Sequence, residues 1–180
     1  MKNNILIVDA YNMIGNWPEL AKLKKSGHLA AAREHLLHTL VNYRRLRNYQ
    51  RMIVVFDAMY VPGLAKEYRK SGLEIVWTAE DQTADSYIEA LTGQLQTRLT
   101  LVTVATSDQA EQWTIFSKGA IRIPAWELHQ DIKHAKQEIR AQSKKYQDQA
   151  SMRRIPWNQQ QLNKMETLRR QLEQKNNSCN

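Results

Sequence analysis

The sequence predicts an α/β protein: a three-layer fold with a mostly parallel central sheet of about five strands, continued by a basic helical extension. Three observations predict it. Short, continuous apolar runs recur along the chain, as expected of strands buried on both faces. Stretches with apolar residues at three- and four-residue steps separate them. After Ile123-Pro124 the composition turns basic and poor in large apolar residues. Strands alternating with helices require right-handed crossovers, and therefore parallel neighbours.

The first strand is Ile5–Val8. A long helix follows, about Leu29 to Tyr49, with Ala32, Leu36, Leu40 and Tyr43 on one face. Met52–Phe56 and Glu74–Trp77 are the second and third strands, mostly β-branched or aromatic. Thr83 to Thr97 is helical, with Ala84, Ile88, Leu91 and Leu95 aligned, and Thr100–Ala105 is the fourth strand. A helix from Asp108 to Phe116 stops near Gly119, and Ala120–Ile123 completes the sheet. The extension reads as a helix from about Ala125 to Asp148, a break at Arg153-Arg154-Ile155-Pro156-Trp157, and a second helix to about Lys175. Residues 1–126 thus form the α/β domain and 127–180 the extension, which carries eleven Lys/Arg against six Asp/Glu, a net +5 of the total +8.

That charge, with a pI near 9.6, points to a polyanionic partner, nucleic acid first. A membrane role is excluded on this reading. No apolar run approaches the roughly 20 residues of a spanning helix, and no signal-peptide core precedes Asp9, so a soluble cytoplasmic protein is expected. The single cysteine, Cys179, allows neither an internal disulfide nor a cysteine metal site.

Four aspartates stand where the sheet would deliver them to one edge. Asp9, Asp57 and Asp108 follow the first, second and fourth strands, and Asp85 opens a helix. Ligands of open α/β sheets bind outside the carboxyl ends of the strands. Each aspartate also has a purely structural reading. Asp9 and Asn12 can bond turn amides. Asp108 and Glu111 can form a capping box, with Thr106 and Ser107 as further polar groups. Asp85 is a favourable charge in a first helical turn, and Asp57 can serve a turn. Together they would repel one another unless a cation intervened. An all-oxygen set suits Mg²⁺, and the absence of a neighbouring histidine in the sequence disfavours zinc and a histidine base.

The segments Ile7-Val8-Asp9-Ala10-Tyr11-Asn12-Met13-Ile14-Gly15, Val54-Val55-Phe56-Asp57-Ala58, Thr83-Ala84-Asp85 with Ile88-Glu89, and Val104-Ala105-Thr106-Ser107-Asp108 with Glu111-Gln112-Trp113 resemble the YacP branch of the NYN domain family, PIN-like nucleases. The resemblance spans about Ile5 to Arg122. It implies a PIN-like fold and a Mg²⁺- or Mn²⁺-dependent endoribonuclease acting on single-stranded RNA, with mRNA and the ribosome as partners. On this basis Asp9, Asp85 and Asp108 carry the metal, Asp57 assists, and Asn12 orients a ligand or phosphate.

Basic residues supply the substrate-holding half of the reading. Arg44, Arg45, Arg47 and Arg51 cluster at the end of the long helix, and Lys66, Arg69 and Lys70 follow the Asp57 loop. Such groups neutralise phosphates without reading sequence, though each is equally a solvated surface charge. Trp157, beside Arg153 and Arg154, can stack a base or pack the entry of a helix. Two rivals stand beside the nuclease. A phosphatase of the haloacid dehalogenase type requires a second aspartate where Tyr11 stands. A non-catalytic RNA- or ribosome-binding module would keep an idle acidic site.

Overall fold

Side-chain alternation along the first strand sets the plan of the molecule. In β1 (Asn3–Asp9), Leu6 and Val8 face one layer of helices while Ile5 and Ile7 face the other, so the strand is apolar on both sides. The computed structural model describes residues 3–47, 49–58, 66–108, 117–154 and 159–177. β1 lies in the interior of a six-stranded sheet of order β3-β4-β2-β1-β5-β6, completed by β2 (Arg51–Phe56), β3 (Lys66–Lys70), β4 (Leu73–Trp77), β5 (Thr100–Ala105) and β6 (Ile121–Ile123). Every neighbouring pair is parallel except β3 with β4.

The predicted α/β class and mostly parallel sheet are therefore what the chain adopts, with one strand more than expected. β3 is a polar edge strand, Lys-Glu-Tyr-Arg-Lys, and offers no apolar run to read. It joins β4 through a two-residue turn, Ser71-Gly72, in which both residues have positive φ (52° and 84°), the mirror-image geometry that fits twisted hairpins. Gly72 has a second reason to lack a side chain: a Cβ there would stand 2.3 Å from Arg44 Nη1.

One face of the sheet is covered by α1 (Ala10–Asn16), α2 (Pro18–Lys25), α3 (Leu29–Leu46) and the start of α5 (Ala125–Arg154), the other by α4 (Ala84–Leu95). Sequence periodicity does not reveal α1 and α2. The first has only seven residues and the second eight, about two turns each, too short for an apolar stripe to repeat and stand out. They are set by their ends: Asp9 caps α1, and Pro18 opens α2 at a position whose amide has no helical partner. The expected helix from Asp108 to Phe116 lies outside the described residues.

Two compact units make up the chain, Met1–Lys136 and Gln137–Asn180. The sequence places the change of character at 126/127, but Leu128, Ile132 and Ala135 of α5 are buried in the same core as α1 and α3, which carries the first unit on to Lys136. The second unit consists of the rest of α5, which continues through Arg154, and α6 (Gln159–Asn177). There Leu162, Met165 and Leu168 follow one another at three-residue steps and are substantially exposed. No helix among the described residues is long and apolar enough to cross a membrane.

Trp17 fastens the start of α5 to the domain. Its ring is 1% exposed, its Nε1 donates to the carbonyl of Ala125 at 2.8 Å, and it stacks on His129 at 5.0 Å. His129 in turn meets Glu19 at 2.8 Å. Replacing Trp17 with alanine removes both the packing and the hydrogen bond, and is expected to cost about 3–5 kcal/mol in urea denaturation. Trp17→Phe, which keeps the ring but not the donor, should cost about 1–2 kcal/mol.

Candidate active site

The period of two that builds the sheet also sorts the carboxylates. Asp9 continues the series Ile5, Ile7, and Asp57 continues Ile53, Val55, so both leave the carboxyl edge on the side of α4. α4 begins at that edge. Thr83 caps it by accepting the amide of Ser86 at 3.2 Å, and Asp57 Oδ2 accepts the amide of Ala84 at 3.1 Å, so the end of β2 is tied to the first helical turn. Asp85, the next residue, is exposed in that turn, where the helix dipole favours negative charge.

Asp9 is the buried member, 8% exposed, and its Oδ1 accepts the amide of Asn12 at 3.0 Å. Burial pushes its carboxyl up to about 6, and the charges of Asp85 and Asp57 push the same way against the hydrogen bond from Asn12. The structure thus brings Asp9, Asp57 and Asp85 into one electrostatic group. The capping role that the sequence allows Asp9 is real, and it coexists with that group.

Beyond β5 the amide of Thr106 still donates to the carbonyl of Ile123 at 3.1 Å, and side chains then hold the chain. Asn12 Oδ1 accepts the amide of Ser107 at 2.9 Å and the Nδ2 of Asn16 at 3.2 Å, Ser107 Oγ accepts the amide of Ala125 at 2.9 Å, and Thr106 Oγ1 accepts the amide of Asp108 at 3.1 Å. Asn12 therefore clamps the turn after β1 to the end of β5, with its carbonyl oxygen engaged by the protein. Asp108, the last residue of this clamped segment, is exposed. Among the described residues no three acidic, histidine or cysteine side chains form a ready-made metal site.

The arginines singled out in the sequence stand at the other edge. A helix that links parallel strands runs against them, so α3 starts at the carboxyl edge and ends at the amino edge. Arg44, Arg45 and Arg47 are at that far end, and Arg51 is the first residue of β2, about 17 Å along the strand from Phe56. Several are bound internally. Arg51 forms a bidentate pair with Glu74 at 2.9 and 2.7 Å, Arg47 pairs with Asp131 at 2.5 and 3.2 Å, and Arg44 donates to the carbonyl of Gln50 at 3.2 Å. Arg69 stands 3.7 Å from Glu74, and Lys70 lies 3.2 Å from Glu34. Lys66, opposite Trp77, is the one β3 residue of this set at the carboxyl edge, and its side chain lies outside the described residues, as do those of Arg153, Arg154 and Trp157. Sequence reasoning passed over Arg33. It sits near the start of α3 with its guanidinium 5.4 Å from the centre of the Trp77 ring, and the signal was its position four residues after the helix start.

The raised carboxyl of Asp9 gives a stability prediction with a definite sign. Its proton is held more tightly in the folded state, so its contribution to stability is complete below the ordinary value of 3.8 and is lost as pH rises through about 6. Asparagine keeps the cap and removes the charge. In metal-free buffer Asp9→Asn should therefore be more stable than wild type at pH 8, by up to about 3 kcal/mol, with the difference vanishing near pH 4 in denaturant titrations.

A model of the YacP-like NYN domain matches residues 6–170. Protein YacP of Bacillus subtilis (strain 168) is 38% identical over 167 residues, covering 93% of this chain and 97% of that protein. The crystal structure of Rae1 (YacP) from Bacillus subtilis superposes with a TM-score of 0.69 at 37% identity, covering 92% of this chain and 94% of that one. A mutant of the same protein gives 0.70 at 37% identity, over 81% of this chain and 84% of that one. By these matches over most of its length the chain belongs to the YacP-like NYN domain family, a family of PIN-like nucleases.

Proposed function

We propose that the protein is a metal-dependent endoribonuclease that cuts single-stranded RNA, with mRNA, free or on the ribosome, as its substrate. The observation that carries this reading is Asp9: a carboxylate buried at the end of an interior strand of a nuclease-family sheet, raised to about 6 by burial and by Asp85 and Asp57. Such a group is held in a state that a cation would relieve.

The donor chemistry fits Mg²⁺ or Mn²⁺. The acidic group is all carboxylate, and Mg²⁺ takes only one or two carboxylates while keeping waters, so a preformed three-ligand cage is not required. Asp9 and Asp85 would hold the ion, with Asp108 beside them. When bound, such an ion activates water for in-line attack on a phosphodiester and neutralises the leaving oxygen. The chain's own residues do the positioning. Asp57 fixes the start of α4, and hence Asp85, through the amide of Ala84; Asn12 fixes the end of β5, and hence the approach of Asp108, through the amide of Ser107. Products would carry 5′-phosphate and 3′-hydroxyl ends. The net charge of +8 supports a polyanionic substrate.

Purified protein is expected to cut an unstructured RNA, or mRNA on translating ribosomes, with Mg²⁺ or Mn²⁺ present, and Asp9→Asn and Asp85→Asn should each lower the rate at least about 100-fold. Cleavage of neither substrate by wild type, with RNA or ribosomes still bound, would assign the protein to the non-catalytic alternative. Mg²⁺ should also raise the melting temperature of wild type at pH 8 and much less at pH 4.5, where Asp9 is protonated; an equal rise in Asp9→Asn would dissociate metal binding from this carboxylate.

A further inference from the structure

We infer that Arg33, whose guanidinium lies over the Trp77 ring, is a phosphate-binding subsite for the RNA strand beside the scissile bond. The inference rests on the nuclease reading and adds to it the residue that brings a polyanion to an anionic edge. Asp9, Asp57 and Asp85 repel an approaching phosphodiester over distances of about 10 Å at 0.1 M salt, so a positive group at the same edge is needed. The arginines near residue 45 stand at the amino edge, where Arg47 and Arg51 are paired with acids. Arg33 belongs to the carboxyl edge. It is half-buried in the second turn of α3, Nη1 lies 3.3 Å from the hydroxyl of Tyr11, two residues after Asp9, and no carboxylate among the described residues forms an ion pair with it.

Its shelf is a stack that the sheet itself builds. Phe56 and Trp77 are register partners at the ends of β2 and β4, with rings 4.7 Å apart and nearly parallel (16°), and Tyr11 meets Phe56 edge-on at 5.6 Å. Phe56 immediately precedes Asp57, so the shelf is one residue from the acidic group. A guanidinium resting on an indole is oriented by that ring and keeps donors at its edge for a phosphate. Phe56 and Trp77 face the α1–α3 layer, whereas Asp9 and Asp57 leave the edge on the α4 side. Arg33 is therefore placed for a phosphate flanking the reacting one. It would strengthen substrate binding and leave the chemical step nearly unchanged.

The test is the affinity of a fluorescently labelled single-stranded RNA oligonucleotide, measured in chelator across a salt series, with cleavage kinetics measured separately in Mg²⁺. Arg33→Ala should weaken binding about tenfold and reduce the salt slope by about 0.7, one phosphate on a single strand. In cleavage it should raise KM with kcat within about twofold. Arg33→Lys, which keeps the charge but not the planar fit, should recover part of the affinity and guards against a folding defect in the alanine variant. Arg98→Ala removes the same charge from the loop before β5, at the amino edge, and should change affinity less than about twofold. Unchanged affinity and slope in Arg33→Ala, with wild type binding and cutting RNA, overturns the inference and leaves the nuclease reading intact. Wild type that neither binds nor cuts RNA overturns both.

Discussion

A carboxylate at the buried end of an interior strand is the constraint on which the rest of the site depends. Asp9 is enclosed because β1 is flanked by β2 and β5 and covered by helices on both faces. It is tolerable there because α1 presents it with the amide of Asn12. The same enclosure that holds it in place raises its carboxyl to about 6, with Asp85 and Asp57 adding to the cost of ionisation. Fold and site are thus opposed. Strand and helix ends that stabilise the sheet assemble charges that would be easier apart, a conflict typical of functional centres.

Around that carboxylate, the other polar residues are mostly fasteners. Asp57 bonds the first amide of α4, Asn12 bonds the segment after β5, and Ser107 passes the constraint to the first residue of α5. Each replaces a hydrogen bond that a strand or helix end would otherwise lack. The result is an edge where the end of β2 is tied to α4, and α1 to the end of β5 and the start of α5. Trp17 and His129 add the start of α5 to the same frame by packing and not by charge.

Much of this was legible in the sequence because buried parallel strands advertise themselves. Ile5–Val8, Met52–Phe56 and Thr100–Ala105 are apolar on both faces, and the residues that follow them are the strand-end carboxylates. What escaped has physical reasons. β3 is polar because it lies at the sheet edge, and its only mark is the Ser71-Gly72 turn. α1 and α2 span only seven and eight residues, too few turns for a periodic face to repeat. The basic residues show a different limit. Arg44 to Arg51 form a dense run in sequence, yet chain direction sends that run to the amino edge, while the isolated Arg33 is delivered to the carboxyl edge. Clustering in sequence reports spatial proximity within one helix turn; which edge it serves depends on the direction of the helix.

The central claim is that Asp9 carries a raised carboxyl that a divalent cation relieves. The most direct measurement is the titration of the Asp9 side-chain carboxyl by carbon-13 NMR, without and with Mg²⁺. The account predicts a midpoint near 6 in metal-free protein and a clear fall when Mg²⁺ is added. A midpoint at the ordinary aspartate value of about 3.9, or one that Mg²⁺ leaves unmoved, would contradict it.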